Sequence, residues 1–198
     1  WWFGIHGPNV MSAVTTPFMT KMMATNLELY QAGEGVTAAG VFYSAGSRYS
    51  IISGPFGAGW FSPTGSGITM GLIIAVMLFS KRDDFKAIAK LAIPCGIFNI
   101  NEPIIFGIPM VMNPMFAVPF FLAPIACASL GYLVQYLGLC PLFVISVPWT
   151  TPVGLFGFLA SSGNIMGGIW QAVIIIAAST LIYTPFVIAS NRQKEVAA

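Results

Sequence analysis

One carboxylate stands at the edge of a long uncharged stretch. Glu102 lies in Asn99-Ile100-Asn101-Glu102-Pro103, and residues 103–191 contain no Asp, Glu, Lys, Arg or His. An acid at the centre of a membrane helix costs roughly 2.5–3.5 kcal/mol to insert, so such residues usually face a cavity on a substrate or ion path. Pro103 disfavours helical backbone at Glu102, which predicts a carboxylate on a chain break, beside the carboxamides of Asn99 and Asn101. That set suits hydroxyl groups, which both donate and accept; an interfacial acid outside the bilayer is the competing reading. His6, the one histidine, follows Gly4 and precedes Gly7-Pro8, and glycine permits close backbone approach to a ligand. A packing role competes there. Trp149 stands between Pro148 and Thr150-Thr151. Its face suits the C–H faces of a sugar ring, and a place in an interfacial aromatic belt is equally open. Glu102 and His6 form the only plausible acid/base pair in apolar sequence.

The elements that must position these residues are broken ones. The chain has 14 Pro and 21 Gly, many inside apolar stretches. Proline removes a backbone donor, and at membrane depth the freed groups need protein partners or a cavity. Residues 115–137 and 168–189 read as ordinary spans, the first kinked at Pro119 and Pro124. Residues 65–80 read as a shorter span with Gly67 and Gly71 as a GxxxG for close packing, or as a chance spacing in a Gly-rich chain. Lys81 to Lys90 holds four of the eight basic residues, with Phe85, Ile88 and Leu91 at helical spacing, as in an interfacial amphipathic helix. Residues 93–114 and 141–163 each carry Pro, Gly and polar groups near the middle. Both predict re-entrant hairpins, from opposite sides, with tips that meet; one of them being a full span is the alternative. Residues 8–23 predict a helix, and 26–60 a connecting loop with a turn at Gly33-Glu34-Gly35.

Composition fixes the class. The chain is 57% hydrophobic and 7% charged, against about 25% charged in soluble domains. This excludes a soluble enzyme, a disordered tail and a nucleic-acid binder, and gives an all-α polytopic membrane protein. The basic clusters at 81–90 and 192–194 both belong on the cytoplasmic side by the positive-inside rule. Cys95, Cys127 and Cys140 lie in apolar sequence with no CxxC and read as small buried hydrophobes. With one histidine and no paired cysteine, no metal site is expected, and no cofactor motif is present. The opening Trp1-Trp2-Phe3 lacks a charged n-region and reads as the interior of a longer membrane protein.

Four segments in one order carry a resemblance: Phe3-Gly4-Ile5-His6-Gly7-Pro8, Gly65-Ser66-Gly67, Gly96-Ile97-Phe98-Asn99-Ile100-Asn101-Glu102-Pro103-Ile104-Ile105-Phe106-Gly107, and Val147-Pro148-Trp149-Thr150-Thr151-Pro152. Together they resemble the membrane subunit (EIIC) of the lactose/cellobiose/diacetylchitobiose phosphotransferase-system permeases, over essentially the whole chain. The resemblance implies that 1–198 is the C-terminal sugar-binding transport half, with two re-entrant hairpins. It implies a homodimer in the full-length parent, through an N-terminal half absent here, in the bacterial plasma membrane with a cytoplasmic C-terminus. It implies a disaccharide substrate and a separate cytoplasmic EIIB phosphoprotein that phosphorylates the sugar's 6-hydroxyl. By motif position, Glu102 resembles the glutamate near that hydroxyl, His6 its partner, Asn99 a sugar-contacting amide and Trp149 the stacking tryptophan; Asn101 joins the binding set. The sequence departs from the family pattern at Val153-Gly154, where a further proline tends to stand. Two other classes remain: an ion-coupled secondary transporter with Glu102 as proton carrier, and a non-catalytic membrane subunit.

Overall fold

A computed structural model describes residues 5–108, 110–111 and 113–197, and side chains through Asn191 with the exception of Pro8. The start of the first motif, residues 1–4, and the side chains of the basic cluster 192–194 lie outside the described residues. Among the described residues the regular structure is helical apart from one small β-hairpin. In order come α1 (Gly7–Gln31), β1 (Val36–Thr37), β2 (Gly40–Val41), α2 (Gly54–Phe56) running into a π-helical turn (Gly57–Phe61), α3 (Met70–Phe79), α4 (Asp83–Ile97), α5 (Glu102–Gly107), α6 (Pro114–Tyr136), α7 (Leu155–Ala160) and α8 (Ile165–Ala197).

Two helices, Pro114–Tyr136 and Ile165–Asn191, are long and apolar enough to cross a membrane. Each has a local start signal. Asn113 accepts a hydrogen bond from the Met115 amide with Pro114 at the first helical position, and Asn164 caps the Met166 amide. Both are apolar around most of their circumference and bury only one face: Phe121, Ile125, Val173 and Leu181 all point outward. A helix apolar on every side belongs against lipid or further protein.

The bundle has two distinguishable ends. At one, Asn191 at the foot of α8 donates to the Phe79 carbonyl and accepts from the Lys81 amide. The end of α3, the basic segment 81–90 and the end of α8 therefore lie together, as both basic clusters on one side require. At the other end, the β-hairpin receives Leu142 N–H on Val41 O, and the Asn164 carboxamide donates to Ala39 O.

Between these ends the chain reverses twice. From the basic end, α4 rises 15 residues, about 22 Å. It turns at Phe98–Asn101 and comes back as α5, whose Gly107 faces Ile88 in the second turn of α4. From the opposite end, the irregular segment 141–153 runs inward, and α7 returns outward, with the Val144 and Ile145 amides both donating to Ala160 O. Their tips touch through Asn99.

Several local expectations change. The helix of the 65–80 segment begins only at Met70, because Thr64, Gly65, Gly67 and Ile68 have positive φ. Gly67 thus lies in a loop and no GxxxG face forms. Gly71 alone makes the close approach, against Ser179 of α8. The amphipathic helix does not end near Leu91: α4 continues through Pro94 to Ile97, buries Phe85, Ala89, Ala92 and Gly96, and leaves Leu91 77% exposed. The first helix runs to Gln31 and takes in the start of the presumed loop, while Gly33 and Gly35 do form the turn at positive φ. The core between the ends is sealed by Trp60, fully buried, stacked on Phe143 at 5.3 Å and facing Gly131 of α6.

Candidate functional site

Asn99 organises the joint. It follows the last turn of α4 at φ +67, a conformation that Asn tolerates better than most residues. Its Oδ1 accepts from the Thr64 amide at 2.7 Å. Its Nδ2 donates to the Thr151 carbonyl at 2.8 Å and to the Trp149 carbonyl. One buried carboxamide thus ties three irregular segments: the loop before α3, the tip of the first reversal and the tip of the second. Asn101, also buried, donates to Ser66 O at 2.7 Å. Gly65 must be glycine for this packing, because at φ +81 a Cβ would overlap the Asn101 carboxamide.

Glu102 opens α5 from this joint and is half-buried. Among the described residues no hydrogen bond or ion pair engages its carboxylate, so its acceptor positions are uncommitted. Trp149 lends only its carbonyl to the joint and is 63% exposed. The arrangement therefore divides roles. Asn99 and Asn101 spend carboxamide hydrogen bonds on backbone, while Glu102 and the Trp149 ring remain available to a ligand.

The structure brings Asn99, Asn101, Glu102 and the Trp149 segment together. It does not join His6 to them by a described hydrogen bond. His6 is half-buried at the N-terminus of α1, where Nδ1 accepts from the Asn9 amide at 3.3 Å. The described residues contain no group of three His, Cys, Asp or Glu able to hold a metal ion. Cys127 and Cys140 are buried free thiols, and Cys95 is free and half-buried.

Sequence reasoning missed Gln171. It is fully buried in α8 and accepts from the Gly154 and Gly157 amides at 2.9 and 2.8 Å. A lone carboxamide inside an otherwise apolar span was the available signal. The departure at Gly154 also has a structural reason. Gly154 has φ +86 and donates its N–H to Gln171, and proline can do neither.

Two chain reversals that meet at polar tips inside an apolar helical bundle are an arrangement that membrane transporters also use. The comparisons make this specific. Residues 1–124 match the family model "Phosphotransferase system, EIIC", and the chain belongs to that family. It is 36% identical to the PTS system cellobiose-specific EIIC component of Lactococcus lactis subsp. lactis (strain IL1403), over 98% of this chain and 41% of that protein. It is 37% identical to the lichenan permease IIC component of Bacillus subtilis (strain 168), over 98% and 40%. Its structure is similar to the crystal structure of the transporter ChbC, the IIC component from the N,N'-diacetylchitobiose-specific phosphotransferase system. The TM-score is 0.85 at 34% identity, covering 98% of this chain and 42% of that one. The chain thus spans about two fifths of the length of these relatives.

Proposed function

We propose that residues 1–198 form the sugar-binding transport domain of a phosphotransferase-system permease. On this reading the domain carries a disaccharide of the cellobiose, lactose or diacetylchitobiose class inward, and presents its 6-hydroxyl to a phosphocysteine on a separate EIIB protein. The observation that carries the reading is Glu102: a half-buried, uncommitted carboxylate at the joint of two chain reversals, beside an exposed tryptophan. The names of the relatives, which concern cellobiose, lichenan and diacetylchitobiose, support a β-linked sugar.

In the transfer, the sugar oxygen bonds to phosphorus, the phosphorus–sulfur bond breaks with the electron pair going to the cysteine sulfur, and the hydroxyl proton ends on that thiolate. Phosphoryl transfer depends chiefly on positioning and electrostatics, so Glu102 orients the hydroxyl by accepting its hydrogen bond. His6 is assigned the partner role on its motif, and the Trp149 ring stacks on the sugar. Asn99 and Asn101 fix the joint and keep their remaining acceptor positions for the sugar. Both reversals are re-entrant, with the basic end cytoplasmic. That orientation is supported by the Asn191 tie between the two basic segments. The outward apolar faces of α1, α6 and α8 meet lipid and the remainder of a homodimeric parent.

The test is Glu102→Gln in the intact permease, assayed by uptake of radiolabelled cellobiose in cells with the phosphotransferase proteins. Phosphorylation-linked uptake should be abolished, and the unaltered permease should deliver sugar phosphate. Unchanged uptake removes Glu102 from the mechanism. Unmodified sugar inside, with dependence on the proton gradient, overturns the reading.

A further inference from the structure

We infer that Gln171 is a positioning residue for the sugar site, acting through the Trp149 loop; the inference rests on the function proposed above. Its carboxamide orientation is dictated by its partners. The oxygen faces two N–H donors, Gly154 and Gly157, at 2.9 and 2.8 Å, and the nitrogen faces the Gly59 carbonyl at 2.9 Å. The side chain is fully buried. Gly154 and Gly157 are the start of the short helix α7, and Gly154 stands three residues beyond Thr151, whose carbonyl Asn99 holds. Gly59 belongs to the π-turn, five residues before Thr64, whose amide Asn99 also holds.

Asn99 and Gln171 therefore bridge the same two stretches of chain, 59–64 and 149–157, at opposite margins of the Trp149 loop. A six-residue helix holds few internal hydrogen bonds of its own, so its start takes its position from outside. Gln171 supplies that anchor from α8, a membrane-length helix. Glycines make the seam close: a Cβ on Gly157 would stand 2.9 Å from Gln171 Cβ, and one on Gly168 would stand 2.6 Å from Gly154 O. With the oxygen removed, two amides in a close-packed seam lose their acceptor, and the loop reaches its Asn99-bound position only by giving up both bonds.

The experiment is calorimetric titration of the purified, monodisperse intact permease with cellobiose. Gln171→Met keeps the volume and removes the polar atoms. Gln171→Glu keeps the oxygen that both amides use. The expected result is sugar affinity about tenfold weaker for Gln171→Met, with Gln171→Glu milder than Gln171→Met, because it keeps both amide bonds and sets only the Gly59 carbonyl against an acceptor. In a Trp149→Ala background, Gln171→Met should cost less than twofold more, because its effect runs through that loop. A general structural role predicts less folded protein that binds normally, or losses that multiply with Trp149→Ala. Either result overturns the inference while Glu102→Gln still abolishes phosphorylation-linked uptake. If Gln171→Met fails to fold, Gln171→Asn, which withdraws the same neutral carboxamide from both amides by one methylene, should weaken binding in its place, and unaltered affinity overturns the inference. Binding that is indifferent to Glu102→Gln and to Trp149→Ala sinks the functional reading and this inference together.

Discussion

Replacing Asn99 with glycine isolates what its side chain does. Glycine accepts φ +67 without strain, so Asn99→Gly removes three hydrogen bonds and leaves the backbone path permitted. Alanine would mix that loss with left-handed strain of about 1–2 kcal/mol. A typical intramolecular hydrogen bond is worth about 0.5–1.5 kcal/mol net, so three give about 1.5–4.5 kcal/mol. The upper half of that range applies if the Thr64 amide and the Thr151 and Trp149 carbonyls stay dry. Asn99→Asp divides the sum. It keeps the oxygen that accepts from Thr64 and loses both donors, so two carbonyls then face an acceptor. It should therefore be no milder than Asn99→Gly, even though one bond survives. The assay is thermal stability of the purified intact permease by loss of the monodisperse peak, together with cellobiose affinity. Both variants should melt earlier and bind at least tenfold more weakly. A clearly more stable Asn99→Asp would show that the donors to the second tip contribute little. Wild-type affinity in Asn99→Gly would show that the two reversals need no clasp.

Two further outcomes follow from the packing. Gly71→Ala places a Cβ about 2.5 Å from the Ser179 carbonyl carbon, which pushes α3 off α8 and should cost about 1–3 kcal/mol of stability. Because backbone as well as side chain is in the way, Ser179→Ala should not rescue it; rescue would place the conflict in the hydroxyl alone. At the basic end, the hydrogen bond from the Arg82 guanidinium, followed by the Phe85 amide, holds the Asp84 carboxyl below its ordinary value. A depressed carboxyl stabilises the fold above its unfolded value and loses that contribution as pH falls through the folded one. Asp84→Asn should therefore lower the melting temperature slightly at pH 7, and the difference should shrink as pH falls below the ordinary carboxylate range. A difference that persists in acid would assign the effect to something other than charge.

The breaks were legible because proline and glycine announce them. Pro103 after Glu102 and the Pro148-to-Pro152 segment marked two interruptions. The polar groups clustered at both, with apolar sequence around them, implied that the tips face each other. What each carboxamide does was not legible. Asn99 has the same composition whether it holds a sugar or a carbonyl, and its partners are 35, 50 and 52 residues away. Gln171 hid for the same reason: two partners are backbone amides, and the third lies 112 residues distant. Leu91 misled because helical spacing fixes a face only up to a small rotation, and burial selected Phe85, Ala89 and Ala92. Pro94 did not break α4, since a proline there withholds a single bond, to the Lys90 carbonyl, one turn before the helix ends.

The scarcity of charge and the abundance of breaks are one design problem with one solution. Every interruption of a helix in apolar surroundings frees N–H and C=O groups that must be paired. An ion pair could supply partners only at a large desolvation cost. A carboxamide supplies donor and acceptor together and is neutral. Asn26 joins both backbone polar groups of Ser50, Asn99 joins three segments, Gln135 takes the Pro141 carbonyl, Gln171 holds the start of α7, and Asn191 closes the basic end. With the freed backbone paired by amides, the fold has no structural need for a charge at the joint. Glu102 is there nonetheless, half-buried and without a protein partner among the described residues. On the function proposed above, that carboxylate is kept for the hydroxyl of a sugar that arrives from outside the fold.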